Sequence, residues 1–311
     1  GAIRNYRFIS HVIQTVLRPP ATDSSGEYIE NEYGEVVYER GLAKSICSDK
    51  RIRTFITQLL ETGRWASARP NLQNLGKRRE SDYATILGKD YLYPIRSILK
   101  ADPGYVLLEA DYKGAELYGM AIMSGDPDML RDAQRNLLPE WDPNYYDIHS
   151  NIAKLAFRLD CEPTKAGLQS IGKKDLRNVA KAVIFGVAYG RQAKAIAVAA
   201  KEEGVHITET EAQAVINAIF STYPGLVPFF ADCRARVSGV RDEHDNLTAT
   251  PPRFMCGALG RFRRFPIISD RDNYRKMISE QERQAQNLPL QNMVADLVAR
   301  AVDKLYMYRM E

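Results

Sequence analysis

The chain has 311 residues, a net charge of +4, 45% hydrophobic residues and 26% charged residues, an ordinary composition for a globular protein. No apolar run is long enough to cross a membrane and no secretory pattern begins the sequence, so we expect a cytoplasmic protein with no membrane partner. Four widely spaced cysteines without metal-ligand spacing indicate reduced thiols, and the length favours two subdomains over one compact unit.

The first part of the chain is predicted to mix helices, polar loops and one strand. In chain order, we predict an amphipathic helix over 5–17, a polar hairpin or loop over 21–40, a helix over 50–61 and a polar loop over 75–90. Tyr105–Asp111 has the apolar pattern of a buried strand, and a helix over 114–123 is expected to pack on it.

The rest of the chain is predicted to be mainly helical. Helical periodicity continues from about 145 to 235, with breaks at 203–208 and at Pro224-Gly225. Turns and short strands are expected over 238–270, followed by a last helix from about 275 to the final residue. We expect Pro289 to interrupt that helix, because proline removes a backbone donor.

One face of a predicted helix carries four side chains at a spacing of four. Arg177, Lys181, Phe185 and Tyr189 give two cations followed by a phenyl ring and a phenol. A nucleoside triphosphate matches this order, with phosphates at one end and a sugar and flat base at the other. The alternative is an amphipathic helix with solvated cations and aromatic rings in the core.

Glycines and further cations surround this stripe. Gly186 and Gly190 each cost about 0.5–1 kcal/mol in a helix interior relative to alanine, so we expect another backbone or a base to approach closely there. Basic clusters are either solvated faces or nucleic-acid contacts. The first cluster contains Lys173, Lys174, Arg177, Lys181, Arg191 and Lys194, and the second contains Arg261, Arg263 and Arg264.

Two other segments carry polar groups suited to ligands. Asp111 ends the predicted strand, where its carboxylate is able to hold Mg²⁺; a helix N-cap is the alternative. Arg283, Asn287 and Gln291 repeat every four residues and carry the donors and acceptors that read base edges, with a solvated helix face as the alternative.

Taken together and in this order, these segments resemble the family A DNA polymerases over roughly 60–311. The matching segments are Asp111–Tyr118, Arg177–Gly190, Glu282–Asp296, Gly63-Arg64 with Pro70–Asn74, and Asp147-Ile148-His149. The resemblance implies an α+β fold, a fragment of the polymerase right hand with an antiparallel palm sheet, a large helical fingers subdomain and part of the thumb. It divides the chain into a thumb base at 1–60, the first part of the palm at 61–125, fingers at 126–270 and a helix returning to the palm at 271–311.

The resemblance implies template-directed DNA synthesis, in which dNTPs are added to a primer on a DNA template with two Mg²⁺ ions. It implies that Asp111 and the carbonyl of Tyr112 hold the metal ions, with Arg177 and Lys181 also acting in catalysis. The implied nucleotide-binding residues are His149, Arg177, Lys181, Phe185, Glu116 and Tyr189. The implied DNA-binding residues are Arg64, Asn71, Gln73, Tyr189, Gly190, Arg283, Asn287 and Gln291.

The sequence also departs from the family pattern. Lys113-Gly114 replaces a Ser-Gln pair, Tyr118 replaces an arginine, and Asn292 replaces a glycine. A second catalytic aspartate, in a His-Asp-Glu motif, is missing after residue 296, and the polar segment Arg241–Asp245 is not a convincing substitute. We therefore expect one half of a split bacterial or phage polymerase, inactive without a second polypeptide that carries this motif; a truncated piece is the alternative.

Two other functions remain open from the sequence. A single-subunit RNA polymerase shares much of this architecture, although Glu116 leaves little room for a ribose 2′-hydroxyl group. A non-catalytic protein that binds DNA or regulates synthesis is the other alternative, since isolated cations and aromatic rings still bind DNA.

Overall fold

The computed structural model describes residues 21, 23–25, 27–30, 32, 36, 42–75, 95–202, 206–244 and 246–310. They belong to two compact units: Gly1–Leu60 with Trp65–Ala110, and Glu61–Arg64 with Asp111–Glu311. The helix predicted over 5–17 lies outside the described residues, as does the predicted loop over 75–90 except for Leu75. Of the polar segment over 21–40, an isolated antiparallel bridge between Glu30 and Val36 is described, as a hairpin requires.

The first unit contains a short antiparallel hairpin where a helix was predicted. Strand β1 (Phe55–Thr57) pairs with strand β2 (Ala66–Ala68), and the Thr54 hydroxyl lies 2.7 Å from the Ser67 hydroxyl. The helix predicted over 50–61 is therefore wrong. Aromatic and β-branched residues suit a pleated strand, and the cross-strand bonds override the local helical periodicity. Short 3₁₀ helices cover Ala43–Ser45 and Ile95–Ile98.

The buried strand predicted over Tyr105–Asp111 is also wrong. The segment is irregular, and no strand among the described residues pairs with it. Its apolar side chains face solvent, with Val106 88% and Leu108 80% exposed. A strand needs a neighbour for its backbone groups and cover for its apolar faces, and the described residues provide neither.

The second unit is mainly helical, as predicted. Its described helices are α1 (Ala115–Ser124), α2 (Pro127–Leu137), α3 (Ile148–Phe157), α4 (Lys165–Ser170), α5 (Lys174–Ala188), α6 (Ala193–Glu202), α7 (Glu209–Thr222), α8 (Leu226–Ser238) and α9 (Tyr274–Met310). Two hairpins lie between α8 and α9, which confirms the short strands expected over 238–270. They pair β3 (Val240–Arg241) with β4 (Leu247–Ala249) and β5 (Phe254–Cys256) with β6 (Phe262–Arg264).

A core of buried side chains joins α1, α2, α3, α5, α7 and α8. Asp126 fixes two elements at once, since its carboxylate caps α2 at the Met129 amide and accepts a 2.7 Å hydrogen bond from the amide of Gly225. The predicted break at Pro224-Gly225 is confirmed there, where α7 and α8 meet at 103°. In the described part of the chain no single helix is long and apolar enough to cross a membrane, although this bent pair together has the length and composition.

Helix α9 runs without a break through Pro289, so the predicted interruption is wrong. Proline removes one backbone hydrogen bond, but Leu288, Pro289 and Leu290 are all buried, and their packing holds the helix together. Helix α9 packs on α8 and α1. The side-chain amide of Gln286 donates a 2.8 Å hydrogen bond to the backbone carbonyl of Val187, which ties α9 to the end of α5.

The side chain of Asn292 is buried within α9, and neither of its polar atoms has a hydrogen-bond partner among the described residues. It packs on Gly257, where a Cβ would come within 2.9 Å of Asn292 Cβ. We expect Asn292→Ala to raise the free energy of unfolding by about 1–3 kcal/mol, because it removes a buried polar group that has lost its hydration. Urea titration measures this change, with Asn287→Ala on the same helix as the control; a loss of stability would show that the amide has a partner such as a buried water molecule.

Candidate active site

Helix α5 presents the four-residue stripe that the sequence predicted. Lys181 is exposed, and its Nζ atom lies 5.9 Å from the centre of the Phe185 ring. Arg177 is partly buried near the start of the helix, and Tyr189 lies at its end. Because the opposite face packs into the core through Val179, Val183 and Val187, the stripe stays toward solvent and is available to a ligand.

Arg177 is held by a buried carboxylate. The Nε atom of Arg177 donates a 2.7 Å hydrogen bond to Asp147, which caps α3 and also accepts a 2.7 Å bond from the Ser150 hydroxyl. Burial alone would raise the pKa of Asp147, but interactions with His149, Arg177 and Ser150 outweigh it and hold that pKa well below its usual value. His149 Nδ1 is buried 3.7 Å from the carboxylate, too far for a hydrogen bond.

Tyr189 joins the stripe to the first motif. Its hydroxyl donates a 2.8 Å hydrogen bond to Glu116 of α1. Burial and this carboxylate raise the pKa of the phenol, while the Gln291 side chain and the charge of Arg64 lower it. The structure thus brings together Tyr189 and Glu116, two of the residues predicted to bind nucleotide, from segments 73 positions apart.

A cavity of about 370 Å³ lies beside the aromatic end of the stripe and is lined by Glu116, Phe185 and Tyr189. Small residues of α5 and α6 widen it. Glycine is required at position 186 for a different reason from the one expected. A Cβ atom there would come within 2.5 Å of Ile196 Cγ1, so the close neighbour is a side chain of α6 and not a backbone or a base. The space can take a sugar or a flat ring.

A larger cleft of about 1090 Å³ lies on the other side of Tyr189, where Gly190, Arg283 and Asn287 also line it. Gly190 has a φ of +65°, and a Cβ there would come within 3.3 Å of Arg283 Cγ, so glycine suits both the turn and the contact. Arg283 is paired with Glu280 and bonded to Ser279 at 3.0 Å. Its predicted contact with a base would require the guanidinium to leave Glu280.

Asp111 and Tyr112 are exposed in the turn that precedes α1. Asp111 makes no hydrogen bond or ion pair with another described residue. A carboxylate and a backbone carbonyl are the oxygen donors that Mg²⁺ prefers, so these residues fit the ion in kind. They are too few to complete a metal site, because the described residues contain no group of three acidic, histidine or cysteine side chains placed to hold a metal ion.

Asn71 and Gln73 belong to the first unit and shape the loop after β2. The Asn71 side chain accepts a 3.0 Å hydrogen bond from the Gln73 amide, and the Gln73 side chain accepts one of 3.0 Å from the Ser67 amide. These bonds give both side chains a role in the local fold. Their predicted role in DNA binding stays a prediction.

The second basic cluster is largely neutralised within the protein. Arg261 lies 2.8 Å from Asp296, and Arg263 lies 2.6 Å from Glu61. Three residues that were not among the predicted site residues belong to the site: Asp147 holds Arg177, Gln286 holds the end of α5, and Arg191 lines both cavities. The signal for Asp147 was its position before a helix, as expected for an N-cap.

Comparison with known proteins identifies the family. The family described as DNA polymerase family A matches this chain over residues 11–309. The chain is 33% identical over 253 residues to DNA polymerase I of Pseudomonas aeruginosa, covering 81% of this chain and 23% of that protein. It is 29% identical over 272 residues to DNA polymerase I of Caldicellulosiruptor bescii, covering 86% of this chain and 26% of that protein.

Among solved structures, the chain is similar to the POL domain of Pol1 from M. smegmatis in complex with DNA primer-template and dNTP. The TM-score is 0.57 at 27% identity, over 83% of this chain and 38% of that chain. This similarity confirms the expected α+β polymerase fold class. The chain spans about a quarter of the length of the two curated relatives named above. Because the family match extends over nearly all of its sequence, the chain belongs to DNA polymerase family A.

Proposed function

We propose that the chain carries the first part of the palm (61–125), the fingers (126–270) and the returning helix (271–311) of a template-directed DNA polymerase, with a thumb base at 1–60. Its substrates are dNTPs and primer-template DNA. In this proposal Arg177, Lys181 and His149 bind the triphosphate, and Phe185 packs on the sugar and base. Glu116 excludes a ribose 2′-hydroxyl group.

The hydrogen bond between Tyr189 and Glu116 is the observation that carries this proposal. It joins two motifs that are distant in sequence, and both residues line the same cavity. Phe185 lines this cavity too and lies one turn of α5 after Lys181. A nucleotide whose base and sugar occupy this cavity would direct its phosphates along α5 toward Lys181 and Arg177. The side chain of Glu116, fixed by Tyr189, narrows the space for the sugar, which favours deoxyribose and disfavours the RNA polymerase alternative.

In the proposed reaction Asp111 and the Tyr112 carbonyl would hold part of a site for two Mg²⁺ ions, which would supply neutralisation of charge on the transferring phosphoryl group. Further carboxylates are needed, and we propose that a segment with a His-Asp-Glu motif, which is not among these 311 residues, supplies them. Val298, Val302, Leu305 and Tyr306 are exposed apolar side chains along the last turns of α9, and such a segment could pack on them.

A DNA-binding protein without catalytic activity is the second candidate function. The single acidic donor at Asp111 and the absence of a three-residue metal cluster in the described ranges favour it for the chain alone. The 1090 Å³ cleft and its cations suit DNA in either case. The two candidates differ in whether an added acidic segment produces synthesis.

Primer extension tests the proposal. The chain is assayed alone and with a polypeptide that carries the palm segment with His-Asp-Glu, with dNTPs or rNTPs and Mg²⁺. We expect extension with dNTPs by the mixture, little with rNTPs, and loss of extension in Asp111→Ala. Extension that survives Asp111→Ala would reject the metal assignment, and DNA binding without extension under every condition would favour the non-catalytic candidate.

We expect Phe185→Tyr to improve the incorporation of dideoxynucleotides, because a phenol hydroxyl beside the sugar replaces the contact that the 3′-hydroxyl otherwise makes. The measurement is the ratio of kcat/KM for ddNTP and dNTP in the complemented protein. Phe262→Tyr, at an exposed ring of β6 that lines neither cavity, serves as the control. An unchanged ratio in Phe185→Tyr would mean that this ring does not contact the sugar.

A further inference from the structure

Lys113 stands where the family motif has serine, two residues after Asp111 and just before α1. Its side chain is exposed and makes no ion pair with another described residue. The Nζ atom lies 3.5 Å from the carbonyl of Leu138, at the end of α2, and 5.5 Å from the centre of the Tyr145 ring. Both contacts are long and weak, so the ammonium group is free to move to a stronger partner.

The groups around Tyr145 form the charged end of the candidate site. Burial raises the pKa of the Tyr145 phenol, with further contributions from the charges of Asp147 and Glu140, while Arg177 lowers it. Tyr145 is two residues before Asp147, so the ring that Lys113 approaches belongs to the same short segment as the carboxylate that binds Arg177. Lys113 of the first motif and Arg177 of α5 thus contact positions only two residues apart on this segment.

The predicted phosphate-binding residues provide few free positive charges for the phosphates of a bound dNTP. The charge of Arg177 is neutralised by the Asp147 carboxylate, 2.7 Å from its Nε atom. Asp111 and Glu140 add further negative charge to this region. Of the predicted phosphate-binding cations, Lys181 alone has no ion pair with another described residue. A triphosphate carries several negative charges, so a second unpaired cation near Asp111 would neutralise charge that Lys181 alone leaves uncompensated.

We propose that Lys113 is a further nucleotide-binding residue of this chain, whose ammonium group leaves the Leu138 carbonyl and contacts the phosphates of the incoming dNTP. The inference rests on the proposed function and adds to it a cation that the family motif does not contain. Lysine suits the task because its flexible stem carries a compact charge that can follow the phosphates.

The test is the binding of dNTP, pyrophosphate and unphosphorylated deoxynucleoside to the chain by isothermal titration calorimetry. We expect Lys113→Ser, which restores the family residue, to raise the Kd for dNTP about fivefold to tenfold and to weaken pyrophosphate binding similarly. Deoxynucleoside affinity should not change. Lys113→Arg should retain dNTP affinity within about twofold, since it keeps the charge.

Lys201→Ser is the matched control, because Lys201 is an exposed lysine of α6 that lines neither cavity. Thermal unfolding of each variant identifies any loss of structure. Unchanged dNTP affinity in Lys113→Ser, or an equal loss for dNTP and deoxynucleoside, overturns the inference. If Lys181→Ala abolishes dNTP binding while Lys113→Ser has no effect, this inference fails and the proposed function stands; if the wild-type chain binds no dNTP, both fail.

Discussion

Replacing Asp147 with alanine is expected to lower the free energy of unfolding by about 3–5 kcal/mol. The Asp147 side chain is 1% exposed, and it accepts hydrogen bonds from Arg177 and from the amide and hydroxyl of Ser150. Its loss leaves the Arg177 guanidinium, 23% exposed, without its counterion and the first turn of α3 without its cap. Urea titration followed by circular dichroism measures the change.

Asp175→Ala is the control for this prediction, because Asp175 is an exposed carboxylate in the first turn of α5. We expect it to change stability by less than about 1 kcal/mol. A loss of less than about 1 kcal/mol in Asp147→Ala as well would mean that the ion pair does not hold the fold.

The same carboxylate makes stability depend on pH. The pKa of Asp147 is lower in the folded chain than its ordinary value of 3.8, so the folded state binds the proton more weakly than the unfolded state. Its contribution is therefore complete above about pH 5 and is lost as the pH falls below the unfolded value toward the folded pKa. We expect the wild type to lose more stability than Asp147→Asn between about pH 5 and pH 2. An identical acid dependence in both proteins would assign the effect to other groups.

Replacing Lys181 with alanine is expected to lower kcat/KM for dNTP about 100-fold or more, with the affinity for primer-template DNA changed less than about twofold. Lys181 is an exposed cation one turn of α5 before Phe185, on the side of the stripe away from Tyr189. If it binds phosphates, its charge acts on the nucleotide and hardly at all on the duplex. Steady-state kinetics of the complemented protein and a DNA-binding titration of the chain measure the two effects.

Lys174→Ala provides the control, since Lys174 is an exposed cation at the first position of the same helix. It should alter neither quantity appreciably. Equal losses of nucleotide use and DNA binding in Lys181→Ala would contradict a specific phosphate role and indicate general attraction to polyanions.

Several structural features followed from local sequence, and the errors have a common cause. The helical character of 145–235, the turn at Pro224-Gly225 and the strands over 238–270 were predictable because periodicity and turn residues act over a few positions. The helix over 50–61, the strand over Tyr105–Asp111 and the break at Pro289 were predicted wrongly. In each case tertiary contacts, or their absence, outweighed the local preference. Strand β1 pairs with β2, Tyr105–Asp111 has no partner strand in the described ranges, and Pro289 is buried.

The sequence by itself determined the family, the stripe on α5 and the chemical character of the candidate site, because residue type and spacing are written along the chain. Only the tertiary structure decided which groups meet: Tyr189 with Glu116, Arg177 with Asp147, and Lys113 with Leu138 and Tyr145. These partners come from different helices and loops, separated by up to 73 positions. Their contacts depend on how the buried faces of the helices pack, which no local pattern encodes.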